Sequence, residues 1–389
     1  MELTTLNPKD LAYANRELSN KEISVLISNN QFKEDFLQND YFTDLRTITF
    51  INEENKKNRF EGFNDLGMIY YFIHRQKHVN KNKKLSDTTK KDYMRDIFQF
   101  YNNWLQYLEV SPIKVPYIYK TGNSLQYVEP RHIEIYQTEW LANKANYKPA
   151  TIARKSVVLR SLFHWLYKVN YISTPLHESF ISSEISEEDK PDRDLTYNEV
   201  KMILDYWEER KHPINYPLLL LLATSGMRVQ EVAKAKWGEL FFDHSSNNYF
   251  LSSFGKNNKH RDVVIFPYVL EALQMLRKRR RLPVELNPSD DTPLIPTIRK
   301  KHYDFTYLSR YVTEIIKETN LPFLEHKQGD ISSHWLRHFF ANHSLDNGAN
   351  LEYIRQTLGH SMLKTTQGYL RKNIERKNNA ALTWNQHKF

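Results

Sequence analysis

Between Ser182 and Asp194 the chain carries Glu184, Glu187, Glu188, Asp189, Asp192 and Asp194, with Pro191 among them and little apolar content. A stretch this charged has nothing to place in a core and reads as an exposed linker, so the 389 residues must fold as separate compact units on either side of it. Directly behind it, Thr196-Tyr197-Asn198-Glu199 has the pattern of a capping box, in which the threonine and glutamate oxygens accept backbone N–H groups of a first helical turn. A second unit therefore starts near Leu195.

Ten glycines against 24 tyrosines and 21 phenylalanines, with apolar residues mostly at helical spacing, predict a mainly α fold with a small β-sheet. In residues 1–80, Phe63, Leu66, Ile69, Tyr70 and Ile73 form one apolar stripe of an N-terminal helical extension, arm-like or protein-contacting in role. A helix over Thr88–Leu108, capped by Asp87, buries Tyr93, Ile97, Tyr101, Trp104 and Leu108 and leaves Lys90, Lys91 and Arg95 off that face. A second helix starts near Pro149, runs through Ile152, Val158, Leu162, Trp165 and Leu166, and carries Arg154, Lys155, Arg160 and His164 on its polar side. Beyond the linker, Tyr216–Thr224 is a buried apolar segment. Tyr249–Phe254 and Asp262–Phe266 flank the basic turn Gly255–His260 as a β-hairpin.

The formal charge of +9 is unevenly spread. Residues 1–80 sum to −2, residues 81–180 to +7 and the remainder to +4, counted over Lys, Arg, Asp and Glu. The middle segment is where a polyanion is attracted most, and basic residues repeating along a helix can follow phosphates across a groove; a solvated helix face is the alternative. Arg277-Lys278-Arg279-Arg280-Arg281 is a further basic patch that reads as a solvated helix end or a nonspecific contact, without a catalytic role. The absence of cysteine excludes disulfides, thiolate metal sites and a cysteine nucleophile. No secretory leader opens the chain and the longest apolar run, Leu218–Ala223, is too short for a bilayer, so a cytoplasmic protein is expected.

Chemistry concentrates near the C-terminus and in two upstream motifs. Arg228 stands one helical turn before Glu231, which can orient its guanidinium and leave outward N–H groups for an anion; a structural ion pair is the alternative. Arg337, within His334-Trp335-Leu336-Arg337-His338, supplies a second guanidinium, and two such groups can clamp the non-bridging oxygens of a phosphodiester. Tyr369 can attack phosphorus if its phenol is relieved of its proton. His334 or His360 is suited to that transfer, and Lys256 to protonating the departing oxygen, although a solvated hairpin lysine is the bland alternative. Such a site requires no metal and no cofactor.

The segments Gly226-Met227-Arg228-Val229-Gln230-Glu231, Gly255-Lys256-Asn257-Asn258-Lys259, His334–His338, Leu358-Gly359-His360 and Thr365-Thr366-Gln367-Gly368-Tyr369 resemble, in order and spacing, the motifs of the tyrosine recombinases of the phage integrase type, including Xer-like members. The resemblance spans about residues 86–375. It implies a C-shaped two-domain DNA clamp: a helical core-binding domain (81–181), a linker (182–194) and a mixed α/β catalytic domain (195–389). It further implies Arg228 and Arg337 as phosphate clamp, Lys256 as general acid, His334 in proton transfer, His360 as hydrogen-bond donor to the transition state and Tyr369 as nucleophile forming a 3′-phosphotyrosyl bond. Glu231 and His338 match supporting positions. Double-stranded DNA with specific sites is the implied partner, four protomers on two sites the implied assembly, with accessory proteins in some systems and the bacterial nucleoid as location. The C-terminal Ala380–Trp384 is the candidate for docking on a neighbouring protomer.

Gly368 stands where the family usually has a bulkier residue, which predicts that Tyr369 docks only on assembly. A site-specific recombinase of a mobile element is the favoured function. Xer-like resolution of chromosome or plasmid dimers, a type IB topoisomerase-like relaxing enzyme and a catalytically silent DNA-binding protein are the alternatives.

Overall fold

The computed structural model describes residues 19–76, 85–110, 122–182, 194–255, 260–327, 329–360 and 370. The chain divides into two compact units, residues 1–190 and 191–389.

The described part of the first unit is all helical. Its elements are α1 (Asn20–Ser28), α2 (Asn30–Leu37), α3 (Phe42–Glu54), α4 (Asp65–His74), α5 (Asp87–Val110), α6 (Pro130–Ile135), which runs on as a π-helix over Tyr136–Lys144, and α7 (Pro149–Lys168). The stripe expected from Phe63 to Ile73 is buried throughout. One apolar cluster runs through residues on both sides of position 80, from Ile23 to Phe180. Within it Phe36 meets Phe98 at 5.0 Å between ring centroids, and Phe60 meets Trp165 edge-on at 5.4 Å. Helix α5 is capped by the Ser86 hydroxyl, which accepts the Thr89 N–H at 3.2 Å; Asp87, expected to be the cap, is instead its first residue.

A buried carboxylate ties this core together. Asp65, at the first turn of α4, accepts from the Tyr101 hydroxyl (2.9 Å), Ser124 hydroxyl (3.2 Å), Leu125 N–H (3.0 Å) and Tyr171 hydroxyl (2.7 Å). Burial pushes its pKa up to about 6 against these four donors, each of which favours the charged form.

The second unit consists of α8 (Tyr197–Glu209), α9 (Asn215–Ser225), α10 (Val229–Lys234), β1 (Leu240–Asp243), β2 (Asn248–Phe254), β3 (His260–Ile265), α11 (Pro267–Arg279), α12 (Phe305–Lys317), α13 (Ser333–Asp346) and α14 (Leu351–Leu358). The capping box is as read from the sequence: Thr196 Oγ1 accepts the Glu199 N–H, and a Glu199 carboxylate oxygen accepts the Thr196 N–H at 2.7 Å. Helix α9 is apolar on all sides because it is the centre of the core, with Leu218, Leu219, Leu221 and Leu222 fully buried. The expected hairpin exists as β2 paired antiparallel with β3, and β1 adds a third strand that the sequence did not signal.

Within the basic run at the end of α11, Lys278, Arg279 and Arg281 are exposed as expected, and its first residue is the exception. Arg277 is fully buried. It donates to the Pro283 carbonyl (2.6 Å), Thr292 hydroxyl (3.0 Å) and Asp290 carboxylate (2.6 Å), and lies 4.2 Å from the Trp237 ring centroid. Each of its polar directions finds a partner, which is the condition for burying a guanidinium.

Candidate active site

Helix α9 ends at Gly226, whose φ of +60° suits a residue without a Cβ. An added Cβ would also lie 2.5 Å from Phe340 Cδ1, a ring atom packed in place, so glycine is required twice over. The turn delivers Arg228 in extended backbone at the N-terminus of α10. There the Arg228 N–H donates to Glu231 Oε2 and its Nη1 to Oε1, both at 2.9 Å. Glu231 is buried, whereas the Arg228 side chain is about one-third exposed, so the pair is anchored at its acidic end and open at its basic end.

Arg337 rises from α13, whose first turn is capped by Ser332, and is 1% exposed. Its Nη1 donates to the Gly226 carbonyl at 2.5 Å and its Nη2 to the Leu358 carbonyl at 2.5 Å and to His360 Nε2 at 3.0 Å. Thus the C-terminal ends of α9 and α14, where backbone carbonyls lack helical partners, hold the arginine fork in a fixed plane. An arginine can only donate, so His360 Nε2 accepts and the imidazole proton sits on Nδ1. Burial, then the charges of Arg337, Arg228 and Arg261 and the neighbouring His334, push the His360 pKa down to about 3. Between pH 6.5 and that value the unfolded chain takes up a proton here and the folded unit does not. The stability linked to His360 is therefore complete above pH 6.5 and lost as pH falls.

His334 and His338 lie one turn apart on α13 with rings edge-on at 5.3 Å, His334 exposed and on the same helical face as Arg337. The structure thus brings Arg228, Glu231, His334, Arg337 and His360 into one cluster. Lys256, Gly368, Tyr369 and Ala380–Trp384 lie outside the described residues.

One participant was not anticipated. Arg261 on β3 donates from Nη2 to Glu231 Oε2 at 2.6 Å, so a single carboxylate serves two guanidinium groups. Its signal in the sequence was parity. Arg261 alternates with Val263 and Ile265, the buried face of β3, where a charge needs a reason to be.

The expected DNA-contacting residues of the first unit are placed differently from an open basic stripe. Lys155 is not on the polar face of α7 but buried, donating to Asp96 (2.8 Å) and Gln99 (2.6 Å). Arg154 bonds Asp96 at 2.7 Å, and Arg95 lies 3.5 Å from the same carboxylate and 3.0 Å from Asp92. Burial alone would raise the Asp96 pKa, but Lys155 and Arg154 hold it below the ordinary value. Arg160, exposed, donates to the Phe180 carbonyl at 3.1 Å; Lys90 lies 3.8 Å from Asp87, and Lys91 is exposed.

Two arginines and an imidazole converge on one point of a helical unit with a small antiparallel sheet, an arrangement that can hold the oxygens of an anion. The chain matches the Phage integrase family over residues 193–376. It is 27% identical over 324 residues to the tyrosine recombinase XerC of Rickettsia bellii strain OSU 85-389, covering 79% of this chain and 94% of that one. Its fold is similar to that of the XerH site-specific recombinase bound to a palindromic difH substrate in a post-cleavage complex (TM-score 0.60, 17% identity, 96% of this chain and 99% of that chain). It is also similar to the lambda integrase tetramer bound to a Holliday junction (TM-score 0.54, 15% identity, 76% of each chain).

Proposed function

We propose that the chain cleaves and rejoins DNA at specific sites through a 3′-phosphotyrosyl intermediate. The observation that carries this reading is the Arg337 fork, buried on two carbonyls and His360 beside Arg228. Fixed donors of this kind stabilise charge that builds on phosphoryl oxygens without reorganising as it forms. Tyr369 Oη attacks the scissile phosphorus while the P–O5′ bond breaks. His334 accepts the phenolic proton, Lys256 supplies one to the departing 5′-oxygen, and His360 donates from Nδ1 to a non-bridging oxygen. The reverse attack by a 5′-hydroxyl restores the backbone, and because the ester energy is kept in the protein–DNA bond no nucleotide is consumed.

The relatives named XerC and XerD favour an Xer-like role, resolution of chromosome or plasmid dimers, over integration or transposition of a mobile element. A nicked duplex that loses the strand beyond the cut is the test. Covalent protein–DNA product is expected with the native chain and is expected to vanish in Tyr369→Phe; exchange between two sites separates recombination from simple relaxation. Trapping that persists without Tyr369 would sink the proposed chemistry.

The working assembly we propose is four protomers on two sites. A groove of about 550 Å³ in the second unit, lined by Val200, Leu204, Leu220, Phe339 and Phe340, suits the apolar residues of Ala380–Trp384 from a neighbouring copy. Deleting residues 377–389 is expected to preserve single-site binding but abolish the paired-site complex on native gels. An unchanged paired complex would exclude this docking mode.

A further inference from the structure

Arg261 has an arrangement that stability alone does not favour. Its side chain is 10% exposed, and its Nε and Nη1 are buried without a hydrogen-bond partner among the described residues. Leaving donors of a buried cation unmatched is costly, and a single ion pair with Glu231 returns only part of that cost. What the placement achieves is visible in its contacts. Glu231 Oε2 is taken by Arg261 Nη2 and the Arg228 N–H, so the Arg228 side chain bonds only Oε1, through Nη1 alone. At its other edge the Arg261 guanidinium lies against Gly359, where an added Cβ would come within 2.5 Å of Nη1. Gly359 directly precedes His360. One side chain therefore spans the motif of Arg228 and the motif of His360.

We propose, on the recombinase reading above, that Arg261 is a positioning residue: by occupying Glu231 Oε2 it keeps Arg228 from closing bidentately on that carboxylate, leaving Arg228 Nε and Nη2 for the scissile phosphate. Without Arg261, the guanidinium of Arg228 and the two oxygens of Glu231 form the fork-to-fork pair that such groups prefer. Arg228 is then turned inward, and the loss appears in the cleavage step rather than in DNA binding.

The experiment is a cycle of Arg261→Gln and Arg228→Ala in the full chain, read as single-turnover covalent trapping on the nicked duplex. The glutamine variant is expected to trap about 10- to 100-fold more slowly, with site affinity within about threefold of native. In the Arg228→Ala background the same change is expected to cost less than about threefold, because a residue acting through Arg228 has nothing left to position. Arg261→Lys, which keeps the charge and serves if the glutamine variant does not fold, is expected to lose less and to show the same non-additivity. Losses that multiply in full, or a single-variant rate equal to native, overturn the role of Arg261. Failure of the native chain to trap DNA overturns the recombinase chemistry and this inference with it.

Discussion

Replacing Arg337 by lysine is expected to slow covalent trapping at least about 100-fold while leaving binding of the duplex nearly unchanged, the magnitude seen when one preorganised donor to a developing oxyanion is removed. Lysine keeps the charge but has no planar fork. It cannot reach the Gly226 and Leu358 carbonyls together, as Nη1 and Nη2 of Arg337 do at 2.5 Å each. Alanine adds a folding defect, because both carbonyls and the His360 acceptor lose their donor within a buried site; about 1–3 kcal/mol is expected for each group left unpaired. Trapping rates and thermal unfolding of the same preparations separate the two effects. A lysine variant that traps within threefold of native would remove Arg337 from the chemistry.

The second large effect lies far from the chemistry. Asp65→Ala leaves the hydroxyls of Tyr101, Ser124 and Tyr171 and the Leu125 N–H without their shared acceptor, and about 3 kcal/mol or more of stability of the first unit should be lost. Hydrogen exchange of the amides in α4 and α5 of the intact chain reads this locally. The native protein should also show a pH dependence that the variant lacks. In the unfolded chain the carboxyl releases its proton near pH 3.8, in the folded unit near 6, so stability falls as pH rises between those values and is level above them. Exchange rates in the variant that match the native protein at every pH would show that Asp65 holds nothing together.

The motifs of the candidate site were legible because holding an anion calls for particular residue types at particular offsets, and Arg228, Glu231, Arg337 and His360, far apart in the chain, lie together in the fold. The hairpin and the capping box at Thr196 were legible because their signals are local. Pairings made across the fold were not. Asp96 falls among apolar residues of α5 and collects Arg154 and Lys155 from α7, nearly 60 residues away, so residues that look like a phosphate-tracking stripe are partly an internal ion cluster. Arg277 failed as a surface residue for the same reason: Asp290 neutralises it, and Thr292 and the Pro283 carbonyl accept its remaining N–H groups, after the chain has turned back. Periodicity states which face a charge occupies only when no opposite charge is brought to it by the tertiary fold.

The aromatic contacts across position 80 limit how this protein can be divided. Phe32 and Phe36 pack on Phe98, and Phe60 and Tyr71 pack on Trp165, so each face that α5 and α7 turn inward is completed by a ring from earlier in the chain. A hybrid gene joined at codon 80 to the beginning of another recombinase would inherit half of each of these contacts. Exchange of the N-terminal region between relatives is thus constrained as core packing is constrained: the donor segment must bring rings of matching shape, and its own nucleic-acid or protein preferences can be passed on only if that fit is kept.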